Sequence, residues 1–532
     1  MKVSVLTWGG LTNISPKDVF LGDNPYRDIW LNCKKSAEVI VPRENALAWE
    51  GLNIRRFSTL INSKSQNKKQ TTQYRGRLVE VEVELQDKQG ALNENLAFTK
   101  RERENDELDD TSNLLDRVLE RGNMLIAMKR VISNKGSHGV DGMGIDEFRT
   151  FIIDNWLRIK EKLLEGRYKP SPVRRVEIPK PDGGIRLLGI PTVLDRLIQQ
   201  VIAQELNKIY DHTFSESSYG FRPNKSAKQA ILKAKEYINE GYRWVVDMDL
   251  EKFFDKVNHD ILMERLSKKI RDKRVLKLIR AYLQSGIMIK GIKVNSDEGT
   301  PQGGPLSPLL ANIMLDEVDK ELEKRGHRFC RFADDANVYV KSRKAGLRVM
   351  ESMRNILEGR LKLKVNEKKS SVDLVSKRKY LGFSFYFAKG GGNIRIHEKS
   401  YKRFKTRIRE ITNRNMGISM GLRIKKLNEY TVGWINYYGV AKASAKIKGL
   451  DEWIRRRLRA CIWKQWKKVK TKGRNLMKLG VPEYKAWEYA NTRKGYWRIS
   501  NSPILNTTLN NRYLESLKYK SISKRYQLIH KS

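Results

Sequence analysis

Cysteine is nearly absent. Cys33, Cys330 and Cys461 are the only three in 532 residues, an odd number with no CxxC pair. This excludes a disulfide framework and a Cys-rich zinc site, and fits a reducing compartment. Histidine is scarce too. The six (His138, His212, His259, His327, His397 and His530) are scattered and form no HExxH or paired ligand spacing. No apolar run approaches membrane-spanning length, so a soluble, cytoplasmic chain with no membrane partner is expected. The short apolar stretch Val3 to Trp8 is broken by Gly9-Gly10 and followed by Asp18, Asp23 and Asp28, which speaks against a signal or transit peptide. Negative charge is the other shortage: 61 Asp plus Glu face 106 Lys plus Arg, leaving a net charge of +45. Such an excess repels itself, so an extended polyanion is the expected partner. With 11 Trp and 21 Tyr, the chain is nonetheless built to fold.

Residues 1–110 carry no clear periodicity. The tract Ser63 to Gln73 reads as solvated linker, and Arg101 to Asp110 holds six acids, including an Asp109-Asp110 pair without flanking strands. From Ser112, a candidate N-cap, the pattern sharpens. Leu114, Leu115, Val118 and Leu119 share a helical face, and a second helix carrying Leu125, Met128 and Ile132 stops at Asn134-Lys135-Gly136. Helices are expected over 145–164, 192–210, 313–326 and 343–360, with 252–288 mostly helical. A hairpin is expected around Asp182-Gly183-Gly184. Helices and short strands alternate without a βαβ period, which predicts an α+β fold. Beyond Gly392 the chain turns into helices rich in Arg, Lys and Trp, with Gly433 and Gly439 as breaks, so a domain boundary is placed at 390–400.

Acid is concentrated where it matters. Asp334 and Asp335 sit at the tip of a predicted hairpin whose arms, Phe329 to Phe332 and Val338 to Val340, are aromatic or β-branched. Adjacent carboxylates repel unless a cation lies between them. A second strand, Trp244 to Asp249, also ends in acid, with Val245, Asp247 and Asp249 on one face. A helix is expected to follow at once, placing Asp249 at a corner where the carbonyl of Leu250 adds an oxygen ligand. Three carboxylates on two strand ends of a basic chain suggest a two-metal phosphoryl-transfer site, with Mg²⁺ as the hard cation for oxygen donors and Mn²⁺ as a substitute. The loop Thr300 to Pro308, with Gly303-Gly304, permits close backbone approach to a ligand. Lys180 and Arg186 stand on facing arms of the 178–186 hairpin, where they could clamp a triphosphate or simply be solvated.

Taken in order, these segments resemble the reverse transcriptase family, and most closely the bacterial group II intron-encoded reverse transcriptase/maturases. The matches are Asn134 to Gly142, Ile178 to Pro191, Ser218 to Pro223, Asp249 to Asp255, Thr300 to Pro308, Phe332 to Asp335, Asn366 to Ser370 and Tyr380 to Phe383. The resemblance implies a right-hand polymerase with fingers and palm over 111–394, an α-helical thumb/maturase domain over 395–480 and a short basic DNA/RNA-binding region over 481–532. The 1–110 extension is longer than the usual family lead-in and holds no matching motif, so the resemblance assigns it no role. The resemblance further implies that Asp249, Asp334 and Asp335 bind the catalytic metals and that Phe254 stacks under the incoming sugar, favouring deoxynucleotides. It gives Gln302, Lys180, Arg186 and Lys369 contacts to the dNTP, and makes Tyr380, Leu381 and Gly382 the primer grip. The sequence departs from the common pattern at Phe332, where Tyr is usual; the ring stays and the hydroxyl goes.

Residues 455–474 are half basic, with no acid and with Trp463 and Trp466 interleaved. Arg455, Arg456, Arg457, Arg459, Lys464, Lys467 and Lys468 are therefore candidate RNA contacts, whereas the tryptophans are expected to be core. The resemblance makes the partners a group II intron RNA, an RNA template with a DNA primer or target DNA, and dNTPs. No C-terminal endonuclease with paired Cys and His is seen before Ser532, so a mobile element of this kind is expected to insert without nicking the second strand itself, for example by priming from a replication fork. A free-standing reverse transcriptase in DNA repair or defence, and a non-catalytic RNA-binding splicing factor, are the competing readings. The intact Asp249, Asp334 and Asp335 oppose the second.

Overall fold

The computed structural model describes residues 110–179, 184–289, 291–294 and 298–531. The extension expected over 1–110, apart from Asp110, and the finger residue Lys180 lie outside them.

The N-terminal helices are α1 (Leu114–Val118), α2 (Arg121–Ser133) and α3 (Ile145–Leu164). Leu114, Leu115, Val118 and Leu119 are buried as their spacing requires, but the residue flanking α1 is Asn113, not Ser112, and it makes no side-chain cap. In α2, which forms as expected, Met128 packs partly buried against the core. The buried face of this helix is Asn123, Ala127 and Val131, while Leu125 is 47% exposed. The reason is polar: the Asn123 amide donates to the carbonyls of Val118 (2.9 Å) and Val201 (3.1 Å), which turns that face inward.

Strands β1 (Val173–Pro179) and β2 (Ile185–Ile190) form the expected antiparallel hairpin, with Ile178 opposite Arg186. Helices α4 (Val193–Tyr210) and α5 (Ala227–Asn239) follow. The Thr192 side chain caps α4 by accepting from the Asp195 N–H at 3.1 Å. Next come β3 (Trp244–Met248), α6 (His259–Ser267), α7 (Lys273–Leu283), and the short strands β4 (Ile287–Ile289) and β5 (Ile292–Val294), which extend the first sheet in the order β2-β1-β4-β5. Helix α8 (Ser307–Lys324) leads into β6 (Arg328–Phe332) and β7 (Asp335–Val340), then α9 (Arg343–Arg354) and β8 (Ser371–Leu374). The second sheet runs β6-β7-β3-β8, antiparallel throughout.

This second sheet is covered on both faces. Val246 and Val338 pack into one core with α1 to α4 and α6 to α9, whereas Val245, Cys330 and Tyr339 pack into another with the C-terminal helices. That double burial explains why β3 lacks a clean polar–apolar alternation.

A separate hairpin, β9 (Phe383–Ala388) with β10 (Gly391–Ile396), precedes helices α10 (Glu398–Ile411), α11 (Met420–Tyr438), α12 (Ser444–Gln465) and α13 (Val469–Lys478). Gly433 does not break α11, which runs through it to Gly439. Short helices α14 (Glu483–Ala490), α15 (Tyr496–Ile499), α16 (Pro503–Thr508), α17 (Asn511–Ser516) and α18 (Ile522–Lys531) complete the chain. Leu505, Leu509, Leu514, Ile522 and Tyr526 enter the same core as Ile447, Leu458 and Trp463, so the regions before and after residue 480 share one interior. Among the described residues, no helix is long and apolar enough to cross a membrane.

Candidate active site

The acidic hairpin forms as expected: β6 and β7 pair from Arg328–Tyr339 to Phe332–Asp335, leaving Ala333 and Asp334 in the turn. Ala333 is left-handed, at φ 60°, a conformation most side chains avoid. A buried arginine holds it there. Arg331 Nη1 donates to the Ala333 carbonyl at 2.9 Å and to Asn312 Oδ1 at 2.9 Å, its Nε donates to Asp319 at 2.8 Å, and its Nη2 donates to Ser218 Oγ at 2.8 Å. Arg331 and Asp319 have side chains 2% and 1% exposed. The segment before α5 closes the other side, where a Cβ on Gly220 would collide with the Ala333 backbone nitrogen. None of Arg331, Asp319, Asn312 and Gly220 was singled out from sequence as a site residue. The readable hint was an arginine inside an otherwise apolar strand arm, which must bring a partner if buried.

Asp249 follows β3. The helix expected at once after it is a single 3₁₀ turn, Phe253–Asp255, entered through Lys252 at φ 50°. This left-handed residue redirects the chain before α6 can begin. The Asp249 backbone is clamped by the segment before β8: its N–H donates to Ser370 Oγ at 3.0 Å, and its carbonyl accepts from Asn366 N–H at 2.8 Å. Lys369 from that segment places Nζ 3.2 Å from Asp249 Oδ2. A fourth acid joins the group. Asp247, opposite Asn337, is bound by Arg378, whose Nε lies 2.9 Å from Oδ2.

The acids sense one another. Burial pushes the Asp335 carboxyl well above its usual range, and Asp247, Asp334 and Asp249 push it further; Lys379 opposes them. Asp334 is raised by burial and by Asp249, against Arg186 and Arg331. Asp247 is raised by burial despite Arg378. Among the described residues, however, no three acidic, His or Cys side chains converge tightly enough to enclose a metal by themselves. Half-buried carboxylates gathered in one place, all hard oxygen donors, suit a divalent ion that completes its shell with water and substrate phosphates.

The other expected residues gather around this cluster. Thr300 N–H donates to the Phe254 carbonyl at 2.6 Å and Gly189 N–H to the Gln302 carbonyl at 2.7 Å, which ties the 298–304 loop to both the 3₁₀ turn and β2. Gly303 is required: at φ 129°, a Cβ there would lie 2.5 Å from the Gly189 carbonyl. Phe254 is half-buried, edge-on to Phe253, and Arg186 is exposed on β2. Tyr380 is 1% exposed and donates to the Cys330 carbonyl at 3.1 Å, so it anchors the turn rather than lining it. Leu381 (φ 48°) and Gly382 (φ 87°) form that turn, and their carbonyls accept from Tyr437 Oη (2.8 Å) and Ser400 Oγ (2.9 Å).

Residues 178–385 match the family described as reverse transcriptase (RNA-dependent DNA polymerase), and residues 401–480 match the group II intron maturase-specific domain. Together they cover more than half of the chain. The chain belongs to the group II intron reverse transcriptase/maturase family. Protein YkfC of Escherichia coli K12 is 33% identical over 290 residues, covering 47% of this chain and 76% of YkfC. The group II intron-encoded protein LtrA of Lactococcus lactis subsp. cremoris is 37% identical over 225 residues, 42% of this chain and 37% of LtrA. A putative COX1/OXI3 intron 2 protein of Saccharomyces cerevisiae is 36% identical over 205 residues, 38% of this chain and 24% of that protein. The chain thus spans three quarters of YkfC but well under half of the two intron proteins. Family membership implies dependence on a divalent metal.

In this reverse transcriptase the basic tract 455–474 is not one helix. It spans the end of α12, a bend at Trp466–Lys468 and most of α13. Trp463 is core, at 1% exposure. Arg457 and Arg459 turn onto the protein: Arg457 Nε donates to Thr412 Oγ1 and its guanidinium lies 5.3 Å from the Trp453 ring, while Arg459 Nε donates to the Ser500 carbonyl at 2.9 Å. Arg455 is bound to Asp451, and Arg456 lies 4.0 Å from the Trp497 ring. Lys464 is half-buried over Tyr496 at 4.9 Å, while Lys467 and Lys468 are exposed. Of the seven candidate RNA contacts, the two lysines at the bend are the exposed ones, and the four arginines make contacts within the protein.

Proposed function

We propose that this protein is an RNA-directed DNA polymerase that copies intron RNA into DNA and assists splicing of its host group II intron. The observation that carries the reading is that Asp249, just past β3, lies near enough to Asp334 and Asp335 at the β6–β7 turn to act on the charge of both, with Lys369 against Asp249 and Arg186 acting on Asp334. Fingers and palm are assigned to 111–394, thumb/maturase to 395–480 and a basic nucleic-acid-binding region to 481–532. In this assignment Asp249, Asp334, Asp335 and the Leu250 carbonyl hold two divalent ions, Mg²⁺ with Mn²⁺ as a substitute. Such ions, when bound, lower the pKa of a primer 3′-hydroxyl and stabilise the pyrophosphate leaving group.

The chain's own residues do the positioning. Arg186 and Lys369 bind the triphosphate as cations on a fixed strand and a fixed turn can, and Lys180 is assigned to the same ligand. Phe254, braced by Phe253, forms a wall beneath the sugar that leaves no room for a ribose 2′-hydroxyl. Gln302 is held against β2 by its own carbonyl, so its amide reaches the nucleotide from a rigid loop. The turn at Tyr380, Leu381 and Gly382 supports the primer end, because it is welded to the sheet through Cys330 and to α11 through Tyr437. Group II intron RNA, an RNA template with its DNA primer or target, and dNTPs are the partners, met in the bacterial cytoplasm.

Primer extension on an RNA template with dNTPs and Mg²⁺ tests this. Wild type should extend and Asp334→Ala should not, while Phe254→Ala should incorporate ribonucleotides. No extension by folded, RNA-binding wild type would refute the polymerase reading.

A further inference from the structure

A cavity of about 730 Å³ lies between α12 and the short helices α15 to α17, with no residue of the acidic hairpin in its lining. One wall is Arg455, Arg456 and Arg459; the other carries Asn501, Asn506, Asn511 and Arg512. Glu452 is the one carboxylate among the residues lining it. Asp451, nearby, is already engaged by Arg455, by Tyr519 Oη at 2.8 Å, by Ser521 Oγ at 3.0 Å and by the Ile522 N–H at 3.1 Å. Positive charge here is under-compensated.

The guanidinium groups are also pinned. Arg459 is buried and held by the Ser500 carbonyl, and burial together with Arg455 and Arg456 lowers its pKa to about 10. Arg456 is fixed by the Trp497 ring and carbonyl, yet its Nε is buried with no hydrogen-bond partner. A merely solvated basic face spreads its side chains into water. These are instead held in place along an open groove, and a buried orphan donor beside it calls for an acceptor.

The opposite wall is amide-rich. Asparagine offers a donor and an acceptor side by side, the pattern displayed by the edge of a nucleobase. A free phosphate would use the arginines and leave the amides idle. The volume suits a nucleotide-sized ligand.

We propose that this cavity captures one unpaired nucleotide of an RNA strand, its phosphate on Arg455, Arg456 and Arg512 and its base edge on Asn506 and Asn511. The proposal rests on the chain being an RNA-binding protein and not on the polymerase site, so it is tested without dNTPs. The probe is a single-stranded RNA of about ten nucleotides carrying thiouridine, cross-linked by light to the full chain and mapped to peptides. Cross-links are expected within 449–459 and 501–512. Asn506→Ala combined with Asn511→Ala should weaken binding about tenfold with the salt slope unchanged. Arg512→Ala should lower the slope by about one unit. All three side chains are exposed, so the core is untouched, and matching melting curves verify this. Wild-type affinity in the double asparagine variant, or cross-links confined elsewhere, would overturn the proposal. So would competition by inorganic phosphate equal to that by adenosine monophosphate, which would leave a simple anion site.

Discussion

Two buried arginines, one in each half of the molecule, meet opposite fates. Arg331 in β6 is matched: Asp319 neutralises it, and Asn312, Ser218 and the Ala333 carbonyl use its remaining N–H groups. Arg459 in α12 is buried beside two more arginines, with a single carbonyl as partner. Desolvating an unneutralised guanidinium costs stability, so its persistence points to something the isolated chain lacks. The acidic cluster mirrors this with the sign reversed. Both halves of the molecule carry strained charge where a ligand belongs and matched charge where only geometry is needed.

The largest effect should come from breaking the acidic end. Asp334→Ala or Asp335→Ala should reduce nucleotide incorporation about a thousandfold or more, with RNA affinity within about twofold, as read by primer extension and filter binding. Loss of both functions together would mean the carboxylates are structural.

Breaking the matched arginine comes next. Arg331→Met strands Asp319 and should cost about 3–5 kcal/mol in denaturant unfolding, and Arg331→Met with Asp319→Leu should recover much of it. Arg459→Met should cost clearly less, because it also relieves repulsion. Equal losses would erase the contrast between the two arginines.

A smaller effect sharpens the mirror-image argument. In the presence of a chelator, Asp335→Asn should melt above wild type, because it removes a buried carboxyl that faces the charges of Asp247, Asp334 and Asp249. Added divalent cation should narrow the gap by raising wild type alone. A variant melting below wild type in chelator would show the cluster is not under strain.

The smallest effects lie in the basic tract. Lys467→Ala and Lys468→Ala should each lower the salt slope of RNA binding by up to about one unit at unchanged stability. Arg457→Ala should instead lower the melting temperature and leave the slope alone, since its guanidinium is bound to Thr412.

The hairpin with Asp334 and Asp335, the strand ending near Asp249 and helix 145–164 were all legible, because strand alternation and helix period are local patterns. The long-range pieces were not. The sequence shows that Asn123 is polar and Leu125 apolar, but not that Val118 and Val201 present carbonyls to Asn123 and so turn that face inward. Lys252 and Ala333 carry no mark of their left-handed backbones, which are imposed by packing rather than residue type. Composition picks out the basic tract at 455–474, yet it could not tell Lys468, in water, from Arg457, on Thr412. Charge density says how many cations there are, and only the fold says which way they point.

Gly220 and Ala333 touch backbone to backbone, and Ser218 is bonded to Arg331 across 113 positions of sequence. The acidic turn and the segment before α5 are therefore one mechanical part made of two distant stretches of chain. Anyone recombining this polymerase with a relative should transfer 215–222 and 328–340 together. A crossover that separates them would join two halves of a hinge cut for different pins.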